Sequence, residues 1–130
     1  MAPSELARRL MSGYLLTIAF EMPVLFLGLG KRYSSKQKLC AGALLTACSY
    51  PFVVLLFPQF WNPFTNYSTY LLISEIFAPI CECIIFVFAF QLKKKQTSKD
   101  RFMDCVCIVL ANLISFIAGE ILKRSGLHFT

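Results

Sequence analysis

Charge is scarce in this chain: Asp, Glu, Lys and Arg make up 15% of 130 residues, 57% are hydrophobic, and the mean hydropathy is +0.63. Too little polar surface is left to coat a soluble globule of this size, so the composition points to a membrane protein. Histidine is scarcer still. The single one, His128, lies beyond the last apolar run, which leaves Ser-His, Cys-His and HExxH arrangements without a base or ligand. A Gly-rich phosphate loop is missing, and Asp104 is the only aspartate near an apolar run, so the aspartate pair of an intramembrane protease is missing too. No enzymatic activity, cofactor or metal is therefore expected. The one residual catalytic arrangement is a Glu75/Glu82 carboxylate pair, for which nothing suggests a substrate.

Cysteine is present six times without a redox or zinc spacing. Cys40, Cys48, Cys81, Cys83, Cys105 and Cys107 all lie within or at the ends of apolar runs, where a thiol behaves as a small hydrophobe. The closest pairs, Cys81/Cys83 and Cys105/Cys107, are two residues apart and project roughly 200° apart on a helix. Neither is a CxxC motif, and no disulfide framework is expected.

What the chain has in quantity is apolar runs of spanning length. Roughly 20 residues cross the hydrocarbon core, and four stretches qualify: 10–30, 39–57, 69–92 and 102–122. The first follows Arg8 and Arg9 but continues through Glu21 and Pro23 without an Ala-x-Ala-like cleavage site, so it reads as a mature helix and not a signal peptide. Short connectors force each helix to run antiparallel to the last. The expected fold is an all-α membrane protein, four transmembrane helices in a compact up-down bundle forming one domain over 1–130.

The 13 Lys and Arg, which give a net charge of +6, cluster between the runs. Nine fall in the first and third connectors (Lys31, Arg32, Lys36, Lys38; Lys93, Lys94, Lys95, Lys99, Arg101) and four at the tails (Arg8, Arg9, Lys123, Arg124). This bias places the two basic loops in the cytoplasm and both termini and the 58–68 connector outside. Such clusters suit the anionic headgroups of a lipid bilayer, not nucleic acid. The outer connector, PQFWNPFTNYS, carries no charge. It is expected to form an interfacial belt of Phe60, Trp61, Phe64 and Tyr67, with the Asn66-Tyr67-Ser68 sequon too near the next span to be glycosylated.

The informative residues are the polar ones inside the runs. An ionised carboxylate at mid-membrane costs at least about 2.5 to 3.5 kcal/mol on insertion scales, so such a group faces protein or water. Counting from the span ends, Glu21, Glu82 and Asn112 meet near one level. Glu75 lies seven residues before Glu82, on the same face and roughly 10 Å away along the axis. These four are the expected ion or proton pathway. Around them, Gly13, Thr17 and Glu21 in the first span, Gly42, Thr46 and either Ser49 or Tyr50 in the second, and Asn112, Ser115 and Gly119 in the fourth recur at helical spacing. Thr46, Tyr50 and Ser115 read as supporting polar groups, the Ser115 stripe chiefly as helix packing. Asp104 and Glu120, near span ends, read as interfacial. Pro23, Pro51 and Pro79 each free a backbone carbonyl near a carboxylate, as a cation or proton site would need.

Two functions follow. In the first, Glu21 and Glu82 exchange protons or bind a cation in a small transporter or ion pathway. In size and in having one Glu in its first span, the chain is similar in outline to the small multidrug-resistance transporters, although that family's Gly-rich third span has no counterpart in ISEIFAPICECIIFVFAF. Four short spans enclose little volume, so transport implies a homo-oligomer. In the second, the chain is a non-catalytic membrane subunit or scaffold whose polar midplane sets helix register against a membrane partner protein.

Overall fold

The computed structural model describes residues 2–62, 65–92 and 96–126. It is helical, with four helices long and apolar enough to cross a membrane: α1 (Pro3–Gly28), α2 (Ser35–Phe60), α3 (Tyr67–Gln91) and α4 (Ser98–Arg124). Each packs on its neighbour in sequence, and α4 closes the ring against α1. This is the up-down four-helix bundle of an integral, multi-pass membrane protein. Twenty-six large apolar side chains among the described residues are exposed, as a lipid-facing surface requires.

Side-chain caps start α2 and α4 ahead of their apolar runs, whereas α1 and α3 begin without one. Ser34 and Gln37 form a reciprocal capping box at the start of α2 (3.2 and 3.0 Å). Thr97 accepts from the Asp100 amide (3.2 Å) and starts α4 before the apolar stretch begins. At the other end of α2 the helix continues past Phe57 by widening into a π turn, Phe52–Leu56, after Pro51. The expected 58–68 connector shrinks accordingly. Pro58 sits inside the widened helix without an N–H to offer the turn before it. The Tyr70 hydroxyl of α3 donates instead to the Val53 carbonyl (2.9 Å).

The apolar core fills only half the bundle. Leu25, Leu29, Ala41, Leu45, Phe86, Ile108 and Ala111 are almost completely buried, and all belong to the half near the 31–34 loop. Gly28 lets α4 come close, because a Cβ there would collide with the Cys107 Sγ. In the opposite half the helices part around a cavity.

Candidate functional site

The cavity, of about 250 Å³, runs from the middle of the bundle to the end where α1 begins and α4 finishes. Its floor is made by Glu21, Thr46, Ser49, Glu82, Asn112 and Ser115, and its mouth by Tyr67, Glu120 and Lys123. Glu21 and Glu82 expose only 2% and 1% of their surface.

Helix spacing explains the floor. Thr46 and Ser49 are three residues apart on α2, and Asn112 and Ser115 three apart on α4, so each helix aims two polar groups inward from successive turns. Thr46 Oγ1 and Ser115 Oγ donate to the two oxygens of Glu21 (2.8 and 3.0 Å). Ser49 Oγ and Asn112 Nδ2 donate to the two oxygens of Glu82 (2.6 and 2.7 Å). Asn112 also donates to the Ile108 carbonyl (3.0 Å). Each carboxylate thus receives one bond from α2 and one from α4.

Glu75 lines the same cavity one level further out, half-buried, beside the buried Ser74. At the mouth Glu120 accepts from the Tyr67 hydroxyl (3.1 Å) and pairs with Lys123 (3.3 Å).

No protein-family model, curated protein or solved structure matches this chain.

Several expectations need correction. Ser115 does bond across to another helix, at the Glu21 carboxylate, but Gly119 has no atom within 4 Å of where a Cβ would stand, so that end of the stripe lines a cavity and does not pack helices together. Tyr50 lines the cavity, but its hydroxyl sits against Gly13, and the bond to Glu82 comes from Ser49. Pro23 and Pro51 do not supply carbonyls to the site. The residues they free, Ala19 and Ala47, lie exposed on the outer surface and do not line the cavity. Glu120 is part of the mouth. Phe64, Lys93, Lys94, Lys95 and His128 fall outside the described residues, and among those described no three His, Cys, Asp or Glu side chains converge to hold a metal.

Asp104 is the largest correction. It lies near a helix end at the opposite end of the bundle, yet it is enclosed by protein, exposing 2% of its surface. Arg32 Nη2 lies 3.0 Å from both of its oxygens, while the Tyr33 hydroxyl (2.8 Å) and Gln91 Nε2 (3.0 Å) donate to Oδ2. Arg32 also reaches Asp100 (3.1 Å), and Gln96 donates to the Tyr33 hydroxyl (2.7 Å). Burial pushes the Tyr33 phenol above its ordinary range, which keeps it a proton donor toward Asp104. The π turn Val87–Gln91 at the end of α3 brings the fully buried Gln91 to this cluster. Read as a topogenic charge alone, Arg32 gave no sign of an acid partner 72 residues away. The one usable signal is Asp104 itself, an acid one turn past Asp100 and just inside an apolar run.

Proposed function

We propose that the chain carries protons or small cations across the membrane, with Glu21 and Glu82 as the carrying groups. The observation behind this reading is that both carboxylates, nearly removed from solvent, border open volume connected to one end of the bundle. A carboxylate kept only as packing glue needs hydrogen-bond partners but no opening, whereas open volume beside both acids gives them a route for exchange with water. The core and the Arg32–Asp104 cluster close the other end, as a one-sided access state would need.

The reading is non-enzymatic. The charge bias of the loops supports an orientation with the cavity mouth and both termini outside and the basic loops on cytoplasmic anionic lipid. The small volume of one bundle supports a homo-oligomer or a membrane partner as the working form. A second reading, a scaffold whose carboxylates fix helix register, draws on the same interhelical hydrogen bonds.

Flux from purified protein in liposomes separates the two. Proton gradients are imposed with Na⁺ or K⁺ in turn, for wild type, Glu21→Gln and Glu82→Gln at matched insertion. Wild-type flux lost in either variant supports the carrier. Silence throughout from folded protein, or flux untouched by both substitutions, overturns it.

A further inference from the structure

The hydrogen bonds at the two carboxylates differ in kind. Both partners of Glu21 are hydroxyls, and each has a second acceptor on its own helix: Thr46 Oγ1 lies 3.0 Å from the Gly42 carbonyl and Ser115 Oγ 2.9 Å from the Asn112 carbonyl. A hydroxyl has one proton to give and lone pairs to accept with. Turned toward Glu21, the two hydroxyls donate to a carboxylate. Turned back toward its own carbonyl, either one offers a lone pair to the single O–H of a carboxylic acid while the other still donates to the remaining oxygen. Both protonation states of Glu21 are therefore satisfied by rotating one hydroxyl, without moving a helix.

Glu82 has no such freedom. Its Oε2 faces Asn112 Nδ2, whose second hydrogen is taken by the Ile108 carbonyl, which fixes that end of the amide as the donor. An amide nitrogen cannot accept. Ser49, bonded to Oε1, has no other acceptor among the described residues. A proton on Oε2 would face the Asn112 donor, and one on Oε1 would turn the Ser49 hydrogen toward the cavity, where no protein acceptor among the described residues takes it. This arrangement suits an anion.

Resting on the carrier reading above, we propose that Glu21 loads and releases the proton while Glu82 stays ionised and holds a monovalent cation that enters through the cavity. An ionised Glu82 has only neutral donors bonded to it, so its charge calls for a counter-ion from solution. Facing the floor from α2 is Tyr50, from α3 Tyr67, Tyr70 and Glu75, and from α4 Glu120 and Lys123. Lys123 is paired with Glu120 at the mouth. The proton step balances simply: a proton from the cavity adds to the Glu21 carboxylate and leaves by the same bond.

Infrared difference spectra of the protein in liposomes across an acidifying step test this assignment apart from flux. A carboxylic-acid carbonyl band is expected in wild type, Glu82→Gln and Glu75→Gln and is expected to vanish in Glu21→Gln. Its loss in Glu82→Gln or Glu75→Gln instead, or its absence from every protein, overturns the proton assignment even where flux supports the carrier. Should Glu21→Gln fail to fold, Thr46→Val is expected to move the band's frequency and Ser49→Ala to leave it in place; the reverse pattern overturns the proposal. Addition of Na⁺ or methylammonium is expected to shift a carboxylate band that Glu82→Gln lacks. No shift with either cation overturns the cation half.

Discussion

Asn112 and Ser115 stand one turn apart on α4 and hold different carboxylates, the amide donating to Glu82 and the hydroxyl to Glu21. Both midplane acids are thus tied to the same turn of one helix. Asn112→Ala removes one of two donors to a buried carboxylate. It is expected to destabilise the bundle by about 1.5 to 3 kcal/mol, the range for hydrogen bonds to charged groups, and not the smaller mean of about 0.6 kcal/mol for membrane hydrogen bonds in general. Unfolding in mixed detergent micelles, followed by Trp61 fluorescence, measures the loss. An unchanged midpoint would show that this bond contributes nothing net.

At the opposite end, Arg32→Ala strips Asp104 of its charged partner. Leaving a buried charge unpaired costs about 3 to 5 kcal/mol, and the lower end is expected because Arg32 keeps 30% of its side chain exposed. Neutralising the acid in the double variant Arg32→Ala/Asp104→Asn is expected to recover at least about 0.5 kcal/mol relative to the sum of the single losses. A strictly additive cycle would contradict the pairing.

Tyr70→Phe deprives the Val53 carbonyl of its donor where Pro58 offers none, and should cost about 1 to 3 kcal/mol. Because the defect originates in a proline, Pro58→Ala returns a backbone N–H to that turn. The double variant is expected to be more stable than Tyr70→Phe alone. The same micelle unfolding assay decides it.

Two glycines of α1 and α4 should respond in opposite ways to alanine. Gly28→Ala meets the Cys107 sulfur and is expected to destabilise, with rescue by Cys107→Ala. Gly119→Ala enters open space and is expected to be neutral or to stabilise by up to about 1 kcal/mol from helix propensity. Thermal unfolding of the three variants checks the contrast.

The proposed orientation is testable in intact cells lacking the native cysteines. A membrane-impermeant maleimide should label Thr65→Cys and spare Lys36→Cys; both positions are exposed. The opposite labelling would invert the bundle and turn the cavity mouth to the cytoplasm.

Much of this arrangement was legible in the residues alone. Hydropathy locates four spans, and counting inward from their ends puts Glu21, Glu82 and Asn112 at one depth, where the helices do bring them together. What counting cannot supply is azimuth. Ser49 and Tyr50 are adjacent in sequence, and only the packing of α2 against α3 decides which of them reaches Glu82. The burial of Asp104 escapes counting for a related reason: nearness to a span end implies access to headgroups only if no neighbouring loop folds over it, and the Arg32–Tyr33 turn does. The extension of α2 beyond Phe57 escaped notice because a proline usually ends a helix, and the π turn that accommodates Pro58 leaves no mark in the hydropathy.

The confinement of the packed apolar core to one half of the bundle separates two kinds of mutational risk. Substitutions around Leu25, Leu45, Phe86 and Ile108 act on folding, while those around Thr17, Tyr50, Ser74 and Gly119 act on the shape and polarity of the cavity. A lineage carrying this fold could retune the mouth of the cavity over many generations without passing through sequences that fail to fold.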